Sequence, residues 1–388
     1  MSKTKYFLIF CMVFILAVAC RASTESPTPE AVFPTRSAAS APVVATTPAP
    51  QPTESPTQAP TQTSLPTATP LPTTTPVPFL PTGLPLIEPE NIASLQRMAE
   101  IPVKEIYDLV VSPSGNYVAT LSEHWEDRSR YMQVWNLNTG AQVYQQEKMD
   151  IPWGLFFLPD ETMLVVLFPR DDPQVRVYDL TRGEIVRSLE IPFDKGALSP
   201  DGELFAAGSI TNNGESSTIT FYDFATGQER SVLTSVGQVM VLYFSPDGKY
   251  LVAGFQTNNN FRLKAWEFAS LKLVTEMVDY SSPVFTLDGT LAASHREAKI
   301  YLFDPKGWVL RGSFNNMDEY GSGRPQSFSK DGRILIGSDT YRTVFWEVAT
   351  GKEIFARSDY GYGLFSPNGD IVLTWCYQCN LTVWGVNP

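Results

Sequence analysis

The chain has 388 residues, too many for one ordinary compact domain unless the fold is a large sheet assembly or a repeat. Its 29 basic and 41 acidic residues leave a net charge of -12, which repels phosphate backbones and argues against nucleic acid as a partner. With two histidines, His124 and His295, and four cysteines, a His-rich metal centre and a multi-cysteine zinc or iron–sulfur site are excluded, and no cofactor or metal is expected.

The first 20 residues follow the secretory pattern. Lys3 and Lys5 supply a positive end, and Tyr6 to Ala19 form an uncharged apolar run. At 14 residues the run is short of the roughly 20 needed to span a bilayer as a stable helix. Small residues then lead to a cysteine, Leu16-Ala17-Val18-Ala19-Cys20. This stretch resembles the lipobox of bacterial lipoproteins. The resemblance implies a diacylglycerol on the Cys20 sulfur, cleavage after Ala19, acylation of the new amino terminus and a membrane anchor on the outer side of the cell membrane. Two or three acyl chains hold a protein stably where one gives only marginal binding. A plain secretory signal with a stray cysteine and an uncleaved anchor are the other readings of these residues.

Residues 21–85 hold 16 of the 31 prolines, set among Thr, Ser, Ala and Gln. Only five charges occur there: Arg21, Glu25, Glu30, Arg36 and Glu54. Such a segment buries too little apolar surface to offset its ordering entropy, so a disordered tether is expected. At about 3.1 Å per residue in polyproline II it would reach roughly 200 Å, and as a flexible coil about 45 Å.

From residue 86 to 388 the texture changes to short apolar strands between turn signals, with two markers repeated seven times. The first is an aromatic closing an alternating strand: Trp135, Tyr178, Tyr222, Trp266, Phe303, Trp346 and Trp384, spaced by 43, 44, 44, 37, 43 and 38 residues. The second is an upstream turn, as in Ser112-Pro113-Ser114-Gly115, Ser199-Pro200-Asp201-Gly202 and Ser245-Pro246-Asp247-Gly248, whose residues suit a type I turn between hairpin strands. A tight turn follows most of the aromatics, as in Asn138-Thr139-Gly140 and Ala225-Thr226-Gly227; the fourth repeat departs with Ala269-Ser270-Leu271. Each repeat therefore reads as four strands, a to d, the blade of a β-propeller.

Seven such units resemble WD-repeat and related seven-bladed propellers, over about 300 residues. The expected fold is all-β, a WD40-like seven-bladed propeller. No Gly-His dipeptide precedes a repeat and the Trp-Asp pair never occurs, so the Asp-His network of that family does not transfer. The seventh repeat lacks its own strand d. Residues 91–100 resemble one, so they are expected to complete the last blade.

In this topology the b–c and d–a loops share one face, where propellers usually bind. The d–a connections carry acids beside aromatics: Asp150 and Trp153, Phe193 and Asp194, Asp279 and Tyr280, Asp318 and Tyr320, Asp359 and Tyr360. Aromatic platforms flanked by carboxylates suit sugars, cations or basic peptide segments; packing at blade junctions explains the same residues. No nucleophile motif, phosphate loop or EF-hand pattern occurs, and no catalytic residue is assigned. Cys376-Tyr377-Gln378-Cys379 on the last b–c hairpin is expected to form a structural disulfide, with a redox-active pair as the alternative. The functional expectation is a lipid-anchored, extracytoplasmic binding or scaffolding protein with a monomeric propeller and a protein or carbohydrate ligand. A propeller hydrolase or lactonase using channel-mouth carboxylates is the alternative.

Overall fold

The computed structural model describes residues 78–388 apart from 125, 170–172, 259, 298, 316–323, 339–341, 359–360 and 377. The expectations placed on the signal segment, Cys20 and the spacer as far as residue 77 lie outside the described residues.

Among the described residues twenty-eight strands form seven four-stranded antiparallel sheets arranged in a ring, a seven-bladed β-propeller. Six blades follow chain order, and in each the strand nearest the axis comes first. The innermost strands are Ile106–Val111, Gly154–Phe157, Lys195–Leu198, Gln238–Phe244, Tyr280–Phe285, Arg324–Phe328 and Tyr362–Phe365, which define blades 1 to 7. Among the described residues the helical turns are two short 3-10 segments, Ile92–Ser94 and Asn212–Gly214.

Burial differs by position within a blade, and composition follows it. Strand b is covered on both faces by neighbouring blades, so it reads as a continuous apolar run: Leu164, Val165 and Val166 are fully buried, as are Leu251, Val252 and Ala253. Strand d has one wet face and alternates, as in Glu229–Val236. The seven marker aromatics sit between blades. Six are buried and Tyr222 is half-buried.

The recurring turn has a physical reason. In blade 4 the Ser245 carbonyl accepts from the Gly248 N–H at 2.8 Å, and Ser245 Oγ accepts from the Tyr250 N–H at 2.9 Å. The same hydroxyl donates to Asp247 Oδ1 at 2.7 Å. Serine is thus buried with its donor and acceptor both used, aspartate orients it, and Gly248 takes the left-handed φ of +70° that ends the turn. Ser199 and Ser329 repeat the arrangement. In blades 1, 2, 3 and 5 the acid or amide after the marker aromatic caps the next turn: Asp179 Oδ1, for example, accepts from the N–H of Thr181 and of Arg182. Where the fourth repeat departs, Leu271 itself adopts φ +53° in place of a glycine.

A β-bulge separates strands c and d in every blade, always beside the marker aromatic. The sharpened local twist suits the fanning of blades around an axis.

Closure follows the expected logic with a shifted boundary. Gln96–Ile101 pairs with Leu381–Gly385, Arg97 opposite Trp384, and supplies the outer strand of blade 7. Residues 92–94, expected in that strand, instead form the 3-10 turn.

Residues 79–95 form a strap that the repeat pattern did not disclose. Phe79 lies over the α-carbon of Gly140, and Leu80 belongs to the buried cluster that holds Trp135, Leu137 and Ile371. The Ile87 N–H donates to the Gly369 carbonyl at 2.8 Å, Glu90 pairs with Arg333, and Ile92 packs with Phe345 and Phe355. Packing against the ring therefore begins at Phe79, within the stretch that composition assigns to the spacer. Every one of these contacts falls on blades 1, 7 and 6 at or near the a–b and c–d turns.

Candidate functional site at the channel mouth

The inner walls of blades 1 to 4 enclose a cavity of about 390 Å³. Asp108, Trp153, Asp194, Lys195 and Tyr243 give it its polar and aromatic character, and Phe156 and Met240 extend its apolar wall. The size falls in the range of small-molecule sites. Blades 2 and 3 contribute only four residues each, and small ones, Gly196 and Ala197, occupy the middle of the third.

Asp108 is the electrostatic centre of this wall. It follows Tyr107, the extra residue of a bulge that re-aims the strand as it passes Leu121 and Ser122. Asp108 Oδ1 accepts from the Leu109 N–H at 3.0 Å. Burial pushes its carboxyl up to about 6, against the opposing pull of the Leu109 and Leu155 backbone N–H groups. No ion pair among the described residues includes it. Tyr243, across the cavity on blade 4, is nearly half exposed, and its hydroxyl is raised by burial and then by the Asp108 charge.

Lys195 holds its ammonium 4.5 Å from the centre of the Trp153 ring. Trp153 is anchored by its backbone N–H, which donates to the Leu167 carbonyl at 2.8 Å, and leaves over a third of its surface exposed, 37%. Asp194 is fixed by its backbone to Gly208 and by Oδ2, which accepts from the Ile210 N–H at 2.7 Å.

Of the residues the sequence singled out, Trp153, Phe193 and Asp194 meet in this cavity. Phe193 does so from a core position, 5% exposed and edge-on to Phe205. Asp150 is well exposed on the same side and lies 3.4 Å from Arg176. Asp279 and Tyr280 belong to a separate cluster on blade 5, where Asp279 pairs with Arg296 at 3.1 Å and Tyr280 packs on His295 and Tyr301. Asp318, Tyr320, Asp359 and Tyr360 lie outside the described residues. Cys376 and Cys379 are joined in a disulfide. It caps a hairpin whose Trp375 stacks on Tyr362 with ring centres 5.5 Å apart. No family model matches this chain, and no curated protein is similar to it in sequence.

Sequence reasoning missed Asp108, Lys195 and Tyr243 because it looked to loops, and these three stand on innermost strands. A signal was present in Ile106-Tyr107-Asp108-Leu109-Val110-Val111, where a carboxylate interrupts an otherwise apolar strand.

Proposed function

We propose that the protein is a lipid-anchored, extracytoplasmic binding protein that uses the b–c/d–a face of a WD40-like propeller to hold a ligand. The observation that carries the binding part is the channel-mouth cavity, in which aromatic faces and carboxylates converge on one space. The strap supports the orientation. Among the described residues the strap begins at Phe79 and packs on the face of the a–b and c–d turns, away from the b–c/d–a face proposed for ligand. The lipobox-like Leu16-Ala17-Val18-Ala19-Cys20 supports the anchor, and the Pro/Thr-rich composition supports the spacer.

Two measurements test this reading. In bacterial cells Cys20→Ser should move the protein from the membrane to the soluble fraction; retention in the membrane with an unchanged amino terminus overturns the anchor. A glycan array and a panel of purified envelope proteins should yield a ligand whose binding falls at least tenfold in Trp153→Ala/Tyr243→Ala. Binding that is indifferent to this double variant, with its melting temperature unchanged, overturns the use of the channel mouth.

A further inference from the structure

Resting on the reading of the channel mouth as a ligand site, we infer that the cavity between blades 1 and 4 selects a small organic ammonium compound, a primary amine on an aromatic or aliphatic body, with Asp108 as its counter-ion.

The charge pattern points there first. Among the described residues two carboxylates, Asp108 and Asp194, and one ammonium, Lys195, line the space, and their charges sum to a net negative when both acids are ionised. The three are not equivalent. Asp194 is oriented by the Ile210 N–H, and Lys195 rests on Trp153. Among the described residues Asp108 has backbone amides as partners and no cation, in a wall that desolvates it. A desolvated carboxylate without a counter-ion gains more from an incoming cation than a solvated one does, because the attraction acts through a low effective dielectric.

The walls point the same way. The negative faces of Tyr243 and Trp153 favour a cation at close range and an aromatic or aliphatic body packed beside it. Lys195 over Trp153 shows that this cavity already accommodates an ammonium on an aromatic ring. A neutral sugar would leave the Asp108 charge uncompensated, and an anion would meet two carboxylates. The volume, about 390 Å³, admits a body of one ring or a short chain.

The proton is a competitor for the same carboxylate. The groups facing Asp108 are Tyr107 on its own strand, Tyr243 from blade 4, and the Leu155 backbone from blade 2; Asp194 and Lys195 complete the cavity from blade 3. Neither tyrosine ionises near neutrality, since burial raises both, so the change between pH 5 and 7.5 belongs to the carboxylate.

The test is calorimetric titration of the propeller-bearing chain with 2-phenylethylamine, its neutral isostere 2-phenylethanol, and cellotriose. The amine should bind at pH 7.5 at least tenfold more tightly than the alcohol. That preference should vanish in Asp108→Asn and weaken several-fold at pH 5. Trp153→Phe, which keeps an aromatic wall, should retain it. Equal affinity for amine and alcohol, an amine affinity unchanged in Asp108→Asn, or no amine binding at all overturns the inference. Cellotriose binding that Trp153→Ala/Tyr243→Ala abolishes also overturns the amine, while leaving the channel mouth as the ligand face.

Discussion

Glu161, on the a–b turn of blade 2, reaches Ser114 on the corresponding turn of blade 1. Its Oε2 accepts from Ser114 Oγ at 2.6 Å, and its Oε1 from the Ser114 N–H. Glu161 holds the fourth turn position, which is glycine in the other six repeats, and adopts the left-handed φ of +58°. The blade accepts local backbone strain and gains a link to its neighbour.

That trade can be measured. Glu161→Ala keeps the left-handed strain and loses both bonds, and should cost about 1–2 kcal/mol in denaturant titration. Glu161→Gly relieves the strain while losing the link, so it should lie between Ala and wild type. An alanine variant as stable as wild type would show that the contact contributes nothing.

The strap makes truncations graded. Removing residues 21–77 should leave the melting temperature of the propeller unchanged. Removing residues 21–85 takes away Phe79, Leu80 and Leu84, which pack on blades 1 and 7, and should cost a few kcal/mol of buried apolar surface. Removing residues 21–101 also opens the edge of blade 7 and should prevent a cooperative transition. Thermal melts of the three chains check the order.

Acid should weaken the ring through its turn-capping aspartates. The Thr226 N–H, then Arg230, hold the Asp223 carboxyl down at about 2, against an ordinary 3.8. Asp179, Asp201 and Asp304 are also lowered, the first two chiefly by a hydroxyl and Asp304 by the Lys306 N–H. A folded value below the unfolded one contributes stability above about pH 4 that is lost as pH falls toward 2. Asp108 has the opposite sign. Its raised value favours the folded state while it is protonated, so its contribution declines as pH rises from about 4 through 6. Melting temperatures should therefore drop steeply below pH 4, and Asp108→Asn should flatten the smaller decline between pH 4 and 7. At pH 7 that variant should gain on the order of 1–2 kcal/mol.

The Cys376–Cys379 bridge closes a loop with a sequence separation of 3, far too short to restrict the unfolded chain much. Replacing both cysteines with serine should cost about 1 kcal/mol or less. A much larger loss would mean that the bridge holds the Tyr362–Trp375 stack in place, and the near-ultraviolet dichroism of that pair would report it.

The ring was legible in the sequence because its signals are local. Five of the seven turns carry a serine, and a sixth the threonine Thr286, whose hydroxyl bonds its own hairpin, and each c strand carries near its end an aromatic packed between blades, so similar residues recur every 37 to 44 positions. The strap was not legible, since Phe79 and Leu80 sit among prolines and threonines and gain meaning only from Gly140 and Trp135, far along the chain. The candidate site was half legible. Trp153 and Asp194 flank strands where a loop reading finds them. Asp108 joins them only because the ring curves blade 1 toward blades 3 and 4.

Closure also sets a timetable. Asn380 bonds Glu100 across 280 residues of sequence, and the strand that follows it completes the blade begun at Gln96. During synthesis six blades can form from local hairpins, but the strand at Gln96–Ile101 waits with an unpaired edge until Leu381–Gly385 emerges. For that interval the nascent protein is an open arc whose exposed strand can pair with another chain. A holdase acting on the nascent chain would matter most there, and a variant that slows only the last blade should aggregate without being less stable once closed.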